Sequence, residues 1–73
     1  MKQHIIDFAE MCEGIYLNET FMYGHVWLVF QFSNGTYGDA FCRSLIDNGL
    51  GQAVQKLENL TLAVLPGETI FSI

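Results

Sequence analysis

The sequence predicts an α+β domain: an antiparallel β-sheet of about four strands, in the order α-β-β-α-β-β, with two helices packed against it. Three observations carry this expectation. Apolar residues recur at helical spacing near the N-terminus and again in the second half of the chain. Between them, "VWLVFQF" at 26–32 is an aromatic and β-branched run of strand length. Gly, Asn and Pro stand where the chain needs turns, at Asn34-Gly35 and Pro66-Gly67 above all.

The elements follow in order. Residues 2–13 fit an amphipathic helix, with Ile5, Phe8, Ala9 and Cys12 on one face and Lys2, Gln3, Asp7, Glu10 and Glu13 opposite. Gly14 follows as its C-cap glycine. Residues 15–23, "IYLNETFMY", read either as a short strand plus turn or as an apolar loop, and an extra strand near residue 16 is one outcome. The stretch "VWLVFQF-SNGT-YGDAFC" reads as a β-hairpin, because Asn34-Gly35 suits the positive φ of a type I′ turn. That turn pairs Phe32 with Tyr37, Phe30 with Asp39 and Leu28 with Phe41; a three-residue loop would shift the register by one. A second helix is expected at about 44–59, opened by Ser44 and Asp47 in a capping-box spacing and weakened by Gly49 and Gly51. "TLAVL" and "ETIFSI" then form two short strands around Pro66-Gly67.

A strand that is apolar on both faces needs cover on both. In "GHVWLVFQF" only His25 and Gln31 interrupt the apolar run. Small antiparallel α+β domains commonly gather their helices on one face. That arrangement is expected to leave Trp27 or the Phe30/Phe32 row open, and so to call for a partner.

Composition narrows the functions. The 73 residues make one domain, 1–73, of the size that buries about 60% of its unfolded surface. The chain is 51% hydrophobic and 14% aromatic, well inside the range that folds. Eight acids against three bases give a net charge of −5, which disfavours direct binding of nucleic acid or an anionic membrane. A basic protein surface is the favoured partner. No signal peptide or spanning segment is read, which places the chain in a cytoplasm.

No motif points to chemistry. Cys12 and Cys42 read as buried thiols in a reducing compartment, and with His4 and His25 they match no zinc spacing. No cofactor, metal or catalytic residue is expected. Three Asn-x-Thr triplets, at 18–20, 34–36 and 59–61, have local readings: a turn at Asn34, a helix end at Asn59, a strand start at Thr61. The candidate partner-binding residues are the acids Asp7, Glu10, Glu13, Glu19 and Asp39 with the aromatics Tyr16, Phe21, Tyr23 and Tyr37.

This profile (small, acidic, without cofactor motif, rich in aromatic surface) resembles the small inhibitor proteins carried by phages and mobile elements, of which anti-CRISPR proteins are one kind. The resemblance is one of profile across the whole chain and transfers no site residue. It implies a stoichiometric binder that occupies the basic surface of a nucleic-acid-handling host complex, such as a CRISPR effector, in the host cytoplasm. The alternatives are an immunity or antitoxin-like inhibitor of a toxin nuclease, and a structural homodimerisation module.

Overall fold

A computed structural model describes residues 2–67. In chain order they form α1 (Lys2–Met11), β1 (Gly14–Met22), β2 (His25–Phe32), α2 (Gly35–Asp47), β3 (Gly51–Lys56) and β4 (Thr61–Pro66). The α+β class and the order α-β-β-α-β-β stand as expected. The four strands form one antiparallel sheet in the spatial order β1-β2-β4-β3. What differs from the sequence reading is which residues build which element.

The hairpin lies one turn earlier than Asn34-Gly35. Residues 15–23 are strand, and Met22 pairs with His25 across a two-residue Tyr23-Gly24 turn. Both turn residues have positive φ, 53° and 79°, the backbone of a type I′ turn. Asn34 instead caps a helix. Its backbone is extended, and its side-chain Oδ1 accepts the Tyr37 backbone N–H at 3.0 Å. The pairings Phe32–Tyr37, Phe30–Asp39 and Leu28–Phe41 therefore do not exist. Asn-Gly is a signal for either structure; the helical spacing of Phe41 and Leu45, both buried, decides for the cap.

The helix expected at 44–59 ends at Asp47 for a related reason. Gly49 has φ 69°, its N–H donates to the Ile46 carbonyl, and the Leu50 N–H donates to the Leu45 carbonyl. This pair of bonds is the Schellman closure of a helix, and residues 51–56 then run as a strand. Ser44 is thus interior to α2 and caps nothing. Asn59 does not end a helix; it sits with Leu60 at positive φ in the β3–β4 turn. At the end of α1 the left-handed residue is Glu13, at φ 64°, and not Gly14. Gly14 is needed for a different reason: a Cβ there would lie 2.5 Å from the Phe32 ring. The strand expected after Pro66-Gly67 lies outside the described residues.

Both helices cover the same face of the sheet. Ile5 and Ala9 of α1, and Phe41 and Leu45 of α2, pack with Leu28, Phe30, Phe32, Leu62 and Val64. Phe41 lies at the centre, its ring 5.1 Å from Phe32, 5.4 Å from Phe30 and 6.2 Å from Phe8. The other face carries a smaller cluster of Trp27, Val29 and Ala63, flanked by Met22, Ala53 and Leu65. Trp27 is only 3% exposed, and its indole N–H donates to the Met22 carbonyl at 2.8 Å. The expectation that Trp27 or the Phe30/Phe32 row stands open is therefore corrected, and with it the argument for a partner on either face. Cys12 and Cys42 are free thiols at the margin of the core, half-buried and not fully so.

Two stability measurements check this account. Phe41→Ala should cost about 3–5 kcal/mol, comparable to the whole stability of a domain this small, and leave the chain unfolded by circular dichroism. An unchanged melting midpoint would contradict the central place given to this ring. Asn34→Ala should lower the urea unfolding free energy by about 1 kcal/mol, and Asn34→Ser by only a few tenths. Equal losses from Ser and Ala would mean a positive-φ turn at Asn34, since neither residue suits one.

Candidate interaction surface

The β1–β2 hairpin concentrates exposed apolar surface at its tip. α1 runs back along β1, and its first residue in the structure, Lys2, reaches Glu19 in the middle of that strand. Beyond that point β1 and β2 continue toward the turn. Phe21 and Val26 are cross-strand partners on the helix-bearing face there, 71% and 49% exposed. Tyr23, in the turn itself, is 76% exposed. Phe21 and Val26 thus share one face of the tip, while the Tyr23 ring turns to the other, against Trp27.

Tyr23 is held against its own preference. A side chain with a Cβ pays about 1 kcal/mol or more in the left-handed region, and Asn or Gly is the usual choice at this turn position. Tyr23 has φ 53° and recovers only an edge-on contact with Trp27, 6.3 Å between ring centroids. Glu13, Asn59 and Leu60 share this backbone region, so it is the exposed ring rather than the strain that sets Tyr23 apart.

The nine candidate residues do not form one patch. Phe21 and Tyr23 share the hairpin tip. Tyr16 is half-buried, packed on Phe30 at 5.5 Å with the Lys2 ammonium 5.7 Å from its ring centre. Glu19 is 2.6 Å from Lys2, and Asp39 is 3.7 Å from Lys56, so the chain's own lysines neutralise both. The Glu19 carboxylate also raises the Lys2 pKa above its ordinary value, chiefly through their hydrogen bond. Asp7 and Glu10 are exposed along α1, and Asp7 accepts a hydrogen bond from Gln3 at 2.9 Å. Glu13 lies beyond the helix, next to the start of β1 and therefore at the opposite end of the strand from Tyr23. Tyr37 and Asp39 stand on the first turns of α2, and Tyr37 is partly exposed.

The sequence reading did not single out Val26, which strand alternation sets on the face of Leu28, Phe30 and Phe32. That face is right, but the helix layer stops short of the residue. The signal was available only once the turn was located at Tyr23-Gly24, because a residue beside a tip outruns the layer that covers its neighbours.

Among the described residues no polar or charged side chain is buried, and no three of His, Cys, Asp and Glu gather. Burial, and then the Asp39 charge, raise the Cys42 thiol above its ordinary pKa, which keeps it protonated and weakly nucleophilic. A groove of about 160 Å³ between α2 and the β3–β4 turn is lined by Phe32, Gly38, Leu57, Leu60 and Leu62 among others. It is smaller than the ~300 Å³ at which small-molecule pockets begin. A larger depression, about 370 Å³ beside Cys42, Arg43 and Lys56, is wide open to solvent. No helix among the described residues is long and apolar enough to cross a membrane. No family model, curated protein or solved structure matches this chain.

Replacing Tyr23 with Asn separates the two accounts of that residue. Tyr23→Asn should leave the unfolding free energy unchanged to within about 0.5 kcal/mol, because relief of backbone strain offsets the lost ring contact. A loss above about 1.5 kcal/mol in urea denaturation would make Tyr23 a structural residue and remove it from the candidate surface.

Proposed function

We propose that this protein is a stoichiometric protein-binding inhibitor. Its hairpin tip docks on a larger complex, and its acids draw it to a basic surface that otherwise holds nucleic acid. The resemblance to phage-borne inhibitors makes a CRISPR effector subunit the target class. The observation that carries the reading is the hairpin tip, which exposes Phe21 and Val26 on one face and Tyr23 at a turn of positive φ. Large aromatics that bury wide area with few rotatable bonds are the usual anchors of a protein interface.

Charge supports the second half of the reading. The chain carries −5, while two of its three Lys and Arg residues are engaged with Glu19 and Asp39. Asp7 and Glu10 are exposed on α1, and Glu13 is exposed just beyond its end. Such a field speeds encounter with a basic target and acts less on the lifetime of the complex. Apolar anchors do the reverse.

Purified CRISPR effectors cleaving a plasmid target provide the test. One effector should lose cleavage as the protein approaches a one-to-one ratio. Reversing Asp7, Glu10 and Glu13 to Lys together should slow association with it by about tenfold or more in low salt, with the difference shrinking as salt rises. Phe21→Ala should leave association nearly unchanged and shorten the residence time by about tenfold or more. If no effector is inhibited at a large excess of protein, this target class is wrong. An unaltered association rate in the triple variant would remove the acids from the interface.

A further inference from the structure

Two Asn-Gly pairs bracket α2. Asn34 is its N-cap and Asn48 its C-cap, and both are exposed. In such a pair the chain can attack itself. The glycine backbone nitrogen closes on the asparagine Cγ, with no side chain of its own in the way. Asn18 and Asn59 instead precede Glu19 and Leu60, whose side chains obstruct that approach. As Asn-Gly pairs, Asn34 and Asn48 look alike in the sequence, but their surroundings differ.

We propose that Asn34 is a site of self-modification, converted through a cyclic imide to aspartate and isoaspartate, while Asn48 is held out of the reaction. The Gly35 nitrogen bonds to Asn34 Cγ. Its proton departs with the side-chain nitrogen as ammonia. Water then opens the imide at either carbonyl. One opening restores the ordinary backbone with a carboxylate side chain at 34, and the other routes the backbone through Cγ. No oxidant or reductant takes part.

The attacking nitrogens are placed differently. Gly35 is the first residue of α2, so its N–H has no acceptor within the helix. The Gly49 N–H donates to the Ile46 carbonyl at 3.1 Å. The side-chain amides differ as well. At Asn34 the bond is to the oxygen, where Oδ1 accepts the Tyr37 N–H at 3.0 Å. That bond draws electron density from Cγ and stabilises the negative charge that gathers on the oxygen during attack. At Asn48 the leaving nitrogen is the atom held, donating to the Ser44 carbonyl at 2.8 Å. Backbone angles agree with this. At ψ 171° the Gly35 nitrogen lies opposite the Asn34 nitrogen and towards Cβ. At ψ 2° the Gly49 nitrogen eclipses the Asn48 nitrogen and is turned away from Cβ. The aspartate product keeps the cap, because a carboxylate accepts the same bond, and adds negative charge at the helix start. The isoaspartate product lengthens the backbone there by one carbon and loses the cap.

Mass spectrometry of the folded protein, held in mildly alkaline buffer, reads this directly as the replacement of NH by oxygen. Trypsin cuts at Arg43, between the two sites, and fragmentation of the 3–43 peptide places the change at residue 34. Conversion of Asn34 should run about tenfold or more ahead of Asn48, because reaction at Asn48 must first break two hydrogen bonds. In urea, where the folded bonds are lost, the two rates should draw together. A Cβ at Gly35 meets nothing within 4 Å, and alanine suits a helix better than glycine, so Gly35→Ala keeps the fold. Its methyl group beside the attacking nitrogen should slow the loss of ammonia at 34 by about tenfold or more. An Asn48 that reacts as fast as Asn34 in the folded protein overturns the proposal. So does an Asn34 that keeps its amide while the urea-unfolded chain reacts to completion, or a rate at 34 that Gly35→Ala leaves unchanged. The comparison of the two asparagines needs no variant.

Discussion

The packing of one phenylalanine holds the two layers together. Phe41 projects from α2 onto Phe30 and Phe32 of the central strand β2, and Phe8 of α1 meets it from the side. Three elements thus converge on a single ring. Aromatic rings supply the largest buried area available to a small chain, and tilted or edge-on packing adds to it. The rest of the fold is arranged so that this contact can form. Asn34 starts α2 directly after β2, so that Phe41 falls two turns into the helix and back over the sheet. Gly14, the cross-strand neighbour of Phe32, leaves room for its ring.

Gathering both helices over that cluster divides the work of the two faces. The helix-bearing face holds the main core. The other is closed over Trp27, Val29 and Ala63 by a smaller set of apolar neighbours and by the indole hydrogen bond to Met22. The helical layer does not reach the end of the first hairpin, where Phe21 and Val26 stay exposed. The acids follow the same division. Glu19 and Asp39 are paired with lysines, while Asp7 and Glu10 on α1 are exposed. The exposed tip residues and the exposed acids of α1 thus occupy different parts of the molecule.

Much of this architecture was legible in the residues. The first helix shows in the spacing of Ile5, Phe8, Ala9 and Cys12, and β2 in its unbroken aromatic and β-branched run. The alternation of Leu28, Phe30 and Phe32 against Trp27 and Val29 assigns the two faces correctly, because strand geometry leaves no other choice. The stretch holding Phe21 and Tyr23 stood out as too apolar for a plain connection, and it is strand and hairpin turn.

Local signals failed where two structures shared one signature. Asn-Gly opens a type I′ turn or caps a helix with equal ease, and only the packing of Phe41 and Leu45 under the sheet chose the cap. The apolar residues at 46, 50, 53, 54 and 57 keep helical spacing, yet Gly49 closes the helix and residues 51–56 pair with β4. Tyr23 gives no warning of positive φ, since nothing in a tyrosine favours it. The sequence by itself determined the class of fold, the order of its elements, the faces of the central strand and the excess of acid. Tertiary structure alone decided where the hairpin turns, which lysines quench which acids, and which apolar residues outrun the helical layer. Those outcomes depend on contacts between residues far apart in the chain, and local spacing carries no information about them.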